Sequence, residues 1–163
     1  MHRPAVLVSA CLLGQCVRYD GQTKPIDLSE LRTLGLNIIP VCPECSGGLP
    51  VPRDPCEIEA GKTAKDVWRG SARVVSIHHK DCTKQYVSGA KKCLALAKDH
   101  DAKLALLKEK SPACGSSLIH SGSFDGSLRS GRGVFAQLLV DNKLMVFSEN
   151  ELNLLIEEIK KSP

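Results

Sequence analysis

Eight cysteines in a chain of 163 residues are the first feature with chemical content. Thiolates bind soft metals and act as nucleophiles, so their spacing is informative. Cys11-x4-Cys16 and Cys42-x2-Cys45 make two pairs with the spacing of a structural zinc site, which four thiolates would close as a tetrahedron. Cys42-Pro43-Glu44-Cys45 also has the C-x-x-C redox pattern, which normally opens a helix whose N-terminus lowers the thiol pKa. Ser46-Gly47-Gly48-Leu49-Pro50 follows directly and argues against a helix there. Cys93 falls on the apolar face of a long helical pattern and reads as a small core residue. Cys82, at the start of that pattern, reads as packing, and Cys56 sits among loop residues without an evident partner.

The elements that must position these thiols follow from periodicity. Arg3–Ala10 is a Val-rich apolar run of strand length, suited to a buried parallel strand. Asp27–Leu36 reads as a short helix, with Leu28, Leu31 and Leu34 every third residue and Gly35 ending it. Asn37–Val41 is a second strand. The stretch from Cys42 to Pro55, rich in Pro with a Gly47-Gly48 pair, reads as a long stiff loop. Ser71–Ile77 is a third strand, Asp81–His100 the clearest helix, and Lys103–Leu107 a fourth strand. Ser121–Gly133 is a Gly/Ser-rich loop. Val134–Val140 opens a helix, Leu144–Phe147 is a fifth strand, and Ser148 caps a terminal helix reaching Lys161. Strands alternating with helices predict one α/β domain over residues 1–163. Its mainly parallel sheet is flanked by helices in a Rossmann-like three-layer arrangement.

That architecture gives three of the thiols a shared address. Cys11 follows the first strand, Cys42 follows the second, and Cys114 comes shortly after the fourth, past Ser111-Pro112. The carboxyl ends of parallel strands share one edge, where such sheets bind ligands. Cys11, Cys42 and Cys114 are therefore expected to converge within metal-binding reach. The four-thiol zinc set of Cys11, Cys16, Cys42 and Cys45 stays open as the rival reading.

Composition narrows the function classes. The chain is 42% hydrophobic and 25% charged, which excludes a disordered or fibrous protein. No apolar run approaches the roughly 20 residues of a membrane helix, so no membrane partner is expected. Val8-Ser9-Ala10-Cys11 resembles a lipoprotein cleavage box. The apolar stretch before it is about four residues, short of the roughly 7–15 of a signal peptide. A cytosolic chain with reduced, metal-bound or catalytic thiols is expected instead. Net charge is +4, with Lys and Arg scattered and aromatics limited to one Trp, two Tyr and three Phe. No basic stripe or stacking platform indicates a nucleic-acid partner. Gly126-x4-Gly131-Arg132-Gly133 falls short of a P-loop for want of the Lys and the Ser/Thr, though the helix after it could offer backbone N–H groups to a polar ligand.

Taken together, Ser9-Ala10-Cys11-Leu12-Leu13-Gly14, Arg18-Tyr19-Asp20-Gly21, Cys42-Pro43-Glu44, Gly47-Gly48-Leu49-Pro50-x-Pro52-Arg53 and Lys110-Ser111-Pro112-x-Cys114-Gly115 resemble the bacterial thiouracil desulfidase family. The resemblance runs in order over residues 5 to 140. It implies a cytoplasmic, iron–sulfur-dependent desulfidase that takes sulfur from a thiouracil-like base, giving uracil and sulfide without net redox. It implies a 4Fe-4S cluster held by Cys11, Cys42 and Cys114, with one iron lacking a protein ligand, and a small thiolated base as substrate. It assigns acid–base work to Glu44 and an active-site hydroxyl to Ser111. Thiolated uridine in a nucleoside or in tRNA is an alternative substrate for the same chemistry. Cys16, Cys45, Cys56, Cys82 and Cys93 are extra to the family pattern, and Cys45, three residues from Cys42, would be a competitor for iron.

Overall fold

The computed structural model describes residues 3–161. In chain order the elements are β1 (Ala5–Ser9), α1 (Ser29–Arg32), β2 (Asn37–Val41), α2 (Pro43–Ser46), β3 (Cys56–Ile58), α3 (Ala64–Arg69), β4 (Val74–Ser76), α4 (Thr83–Asp99), β5 (Leu104–Leu107), β6 (Leu118–His120), β7 (Leu128–Ser130), α5 (Val134–Asp141), β8 (Met145–Ser148) and α6 (Leu152–Lys161). Every residue of β1 is buried, as expected of a central strand covered on both faces. It pairs in parallel with β2 and β5, and β5 pairs in parallel with β8, giving the order β2-β1-β5-β8. Pro40, which has no N–H to donate, sits in the edge strand β2, where its loss from the ladder is tolerated.

Alternation along the strands divides the core. Leu7, Ala105 and Leu107 face a cluster built with Tyr86, Ala90 and Cys93 of α4 and Phe135 and Leu139 of α5. Val6, Val8 and Leu106 face Leu31 of α1 and Leu155 and Ile156 of α6. The expected three-layer α/β architecture with a parallel sheet is thus what forms. Among the described residues no helix is long and apolar enough to cross a membrane.

Three expectations are corrected. Ser71–Ile77 gives only the short strand β4, and β4 joins no parallel ladder. It pairs antiparallel with β3, Cys56 opposite Ser76, in a separate two-stranded sheet. Ser121–Gly133 is not all loop, because β7 pairs antiparallel with β6 as a hairpin. The Cys42–Pro55 stretch, read as helix-free, contains the single turn α2, with Cys42 as its N-cap and its Sγ accepting from the Cys45 N–H at 3.5 Å.

Gly47, taken as a helix breaker, is there for packing, and so is Gly89 inside α4. A Cβ on Gly47 would overlap the Gln85 carbonyl, and one on Gly89 would overlap the carbonyl of Pro43. The backbones of α2 and α4 therefore touch, which fixes Cys42 and Glu44 against the longest helix. Gly→Ala inside a helix ordinarily stabilises by about 0.5–1 kcal/mol. Gly89→Ala is expected to reverse that sign, destabilising by roughly 1–3 kcal/mol, because α2 must move away. Urea unfolding of the variant checks this.

Candidate functional site

β1 runs out to β2 on one side, while β5, its next neighbour in the sheet, lies on the other. The connections leave the carboxyl ends of β1 and β5 in opposite directions, which opens a crevice at this switch point. A cavity of about 310 Å³ lies there, lined by Cys11, Cys42, Cys114, Glu44 and Ser111 among others. Each arrives from a strand end. Leaving β1, the chain tightens into a 3-10 turn, Ala10–Leu13, that carries Cys11. Leaving β2, it enters α2, with Cys42 at the cap and Glu44 in its first turn. Leaving β5, it reaches Ser111, whose Oγ accepts from the N–H groups of Ala113 at 3.0 Å and Cys114 at 3.1 Å. The five residues read from the sequence meet around one space.

Cys11 and Cys114 are buried and Cys42 half-buried. Burial pushes all three thiols up. Cys114 lies well above its ordinary range, with Glu44, Cys42 and Cys11 adding repulsion and a hydrogen bond with Ser9 opposing it. Cys42 is pushed up to about 12, chiefly by burial. Cys11 is raised by burial and partly relieved by Lys108 and Arg18. A high-pKa Cys42 is the opposite of the activated thiol of a C-x-x-C redox site. Buried thiols of this kind become thiolates when a cationic group binds them.

Among the described residues, no three or more His, Cys, Asp or Glu side chains are grouped closely enough to hold a single metal ion. Cys16 is exposed, and neither it nor Cys45 lines the cavity. The four-thiol zinc set of Cys11, Cys16, Cys42 and Cys45 is therefore not assembled. Three soft donors spread around a larger space fit a polynuclear cluster, whose ligands bind separate irons.

Glu44 is held from two sides. Tyr86 Oη donates to its Oε2 at 2.8 Å, and Arg53 Nη2 lies 3.3 Å from the same oxygen. Both contacts fall on Oε2, and no hydrogen bond to Oε1 is found among the described residues. Arg53 is itself locked, donating to the carbonyls of Pro50 at 3.2 Å and Val17 at 3.0 Å. Its motif was visible in the sequence but its role was not. Tyr86 carried only the signal of a core position on α4. Cys56, with no evident partner in the sequence, opens β3 and lines the cavity, its thiol beside Tyr86 and Cys82. Cys82 and Cys93 are buried in the core as expected. The N-terminus of α5 is not open to a ligand: its first N–H groups donate to the carbonyls of Pro112 and Ala113.

A carboxylate frame that no local signal announces secures the site's far wall. Glu149 Oε2 accepts from the Glu109 N–H at 2.9 Å, and Lys108 Nζ reaches Glu149 Oε1 at 3.3 Å. Glu109, 4% exposed, turns the other way. It accepts from the N–H groups of Ser116, Ser117 and Leu118 at 2.8–3.0 Å and from two serine hydroxyls, fixing the chain just beyond Cys114. Burial alone would raise its pKa, but these bonds outweigh it and hold the Glu109 carboxyl below the usual carboxylate range. A depressed carboxyl stabilises the fold above its unfolded value and loses that contribution as pH falls through the folded one. Glu109→Gln is expected to cost roughly 1.5–3 kcal/mol at neutral pH. The gap to wild type should shrink in urea titrations run below about pH 4.

Comparison with known proteins follows the same line. A family model described as 2-thiouracil desulfurase matches residues 6–151. A Bacillus subtilis (strain 168) protein named Uncharacterized protein YbbK is 42% identical over 148 residues, covering 91% of this chain and 97% of its own length. A solved structure described as the 4Fe-4S-dependent thiouracil desulfidase TudS superposes with a TM-score of 0.86 at 39% identity, over 97% of this chain and 99% of that one.

Proposed function

The chain belongs to the 2-thiouracil desulfurase family, and from that premise we propose that it is a non-redox desulfidase acting on a small thiouracil-like base. Water enters, the C=S carbon becomes C=O, and hydrogen sulfide leaves, so no electron donor or acceptor is required. One observation carries the reading: two buried thiols and one half-buried thiol, a held carboxylate and a hydroxyl line one cavity at the switch point of the sheet. Cys11, Cys42 and Cys114 would hold a 4Fe-4S cluster, leaving one iron without a protein ligand. When bound, that cluster supplies a soft Lewis acid matched to a thiocarbonyl sulfur.

The protein's own groups do the rest. Glu44 takes a proton from the attacking water through its free Oε1 and returns one to the departing sulfur. Arg53 and Tyr86 hold its Oε2, so the carboxylate stays aimed while the proton moves. The Ser111 oxygen already accepts two backbone N–H groups, which leaves its O–H to donate to the water or the ring. The same two bonds fix the turn that carries Cys114. A reducing, cytoplasmic setting suits the reading, because thiols that are to hold a cluster must stay reduced.

The test is anaerobic purification, iron and acid-labile sulfide analysis, and incubation with 2-thiouracil without any redox partner. Uracil and sulfide in equal amounts support the reading. A protein that carries its cluster yet releases no sulfide from 2-thiouracil overturns the small-base assignment. Release from thiouridine or thiolated tRNA in that case would move the substrate to those classes.

A further inference from the structure

The chain has one Trp, two Tyr and three Phe. Two of these six, Tyr19 and Phe124, line the same cavity without filling the core. Tyr19 is 42% exposed and lies 5.8 Å, ring centroid to guanidinium carbon, from Arg18. Phe124 is half-buried in the turn between β6 and β7 and has φ of 54°, a left-handed conformation that a bulky residue adopts only when its surroundings impose it.

Those surroundings are identifiable. Glu57, buried on β3, accepts through Oε1 from the N–H of Gly122 at 2.7 Å and of Phe124 at 3.3 Å. A Cβ on Gly122 would overlap the backbone of Ala60, so the turn lies directly on the strand's end. Arg129 donates to the carbonyls of Ser121 and Glu59, both at 3.2 Å, and ties the hairpin to the same strand. A buried carboxylate is thus used to hold a strained aromatic residue at the mouth of the cavity. On the same hairpin, His120 lines the cavity, and its Nδ1 is buried with no hydrogen-bond partner among the described residues. The part of the imidazole that lines the cavity, beside a presented ring, suits a flat, hydrogen-bonding heterocycle.

We propose that the β6–β7 hairpin is the base-recognition element, with Phe124 stacking on the face of the thiolated ring and His120 hydrogen-bonding its edge. The proposal rests on the desulfidase reading and restricts its substrates to planar heteroaromatic thiocarbonyls. Phe124 and His120 act on binding, not on the sulfur chemistry.

The experiment uses the cluster-loaded enzyme and reads two quantities. KM and kcat are measured for 2-thiouracil, and the Kd of uracil, which has no sulfur to lose, is measured by calorimetry. Phe124→Ala is expected to raise both KM and Kd by about tenfold with kcat and iron content retained. Phe124→Leu, which keeps apolar bulk without a π-face, should behave like the alanine variant, and Phe124→Tyr should restore wild-type binding. His120→Ala should raise Kd for uracil as well. Unchanged KM and Kd in both the alanine and leucine variants overturn the proposal, and so does failure of tyrosine to rescue. Wild-type enzyme that binds uracil in a Phe124-dependent way but releases no sulfide would instead sink the desulfidase reading and leave the recognition element standing.

Discussion

Cys114→Ala is expected to purify as a folded protein with iron and acid-labile sulfide at background and no desulfidation. Cys114 is buried in the main core cluster with Ala113 and Ile119 and reaches solvent only at the cavity, so trimming one sulfur leaves the fold intact. Its loss to metal binding is of a different order. The proposed donor set is three thiols delivered from three separate strand ends. Removing one leaves two thiols, on elements that share no other device for closing around a cluster. Deleting a group that merely supports a ligand typically costs 10–100-fold in affinity or activity. Deleting the ligand itself should cost more than about 100-fold. The same measurement on Cys45→Ala supplies the contrast. Cys45 contributes its backbone N–H to the Cys42 sulfur, and its side chain lines no part of the cavity. Iron in that variant should match wild type. Iron retained in Cys114→Ala but lost in Cys45→Ala would reinstate a ligand set around α2.

The three cysteines were legible because strand ends are legible. Ala5–Ser9, Asn37–Val41 and Leu104–Leu107 are mostly apolar runs of strand length, and in a parallel sheet their carboxyl ends must share an edge. The parts that failed to read have no period. β3 is three residues long, too short to show alternation, and its existence depends on a partner eighteen residues on. The turn α2 was excluded because Gly47-Gly48 and Pro50 forbid a long helix. They do not forbid one turn, and Gly47 is required there by the approach of Gln85. α3 went unread although its local signal is present: Thr63 and Asp66 form a reciprocal capping box at the start of Ala64–Arg69, and Gly70 ends it in the left-handed conformation. Arg53, Tyr86 and Glu109 owe their roles to contacts distant in sequence or to backbone groups brought round by a turn. Residue type alone gives Tyr86 a core position and Glu109 a surface one. Only the folded chain shows that one meets Glu44 across 42 residues and the other anchors the segment beyond Cys114.

Glu44→Gln is expected to keep its cluster and lose turnover by about 10²–10⁴-fold, the range that positioned acid–base groups contribute. The substitution is nearly isosteric, its carbonyl oxygen can still accept from Tyr86, and Arg53 stays tied to the Pro50 and Val17 carbonyls, so α2 and Cys42 need not move. What disappears is a group that can take a proton and give it back. The prediction is therefore a split: kcat falls steeply while iron content, KM for 2-thiouracil and the Kd of uracil stay near wild type. Tyr86→Phe tests the support separately. It removes one of the two bonds to Oε2 and leaves the carboxylate and Arg53 in place, so its loss in kcat should be smaller than that of the glutamine variant. Equal losses in the two variants would mean that Glu44 serves mainly to organise the wall of the cavity. Normal turnover by Glu44→Gln would remove it from the proton transfer altogether and shift that role to another polar group lining the cavity, with Ser111, whose Oγ accepts from the Cys114 N–H, the first to test.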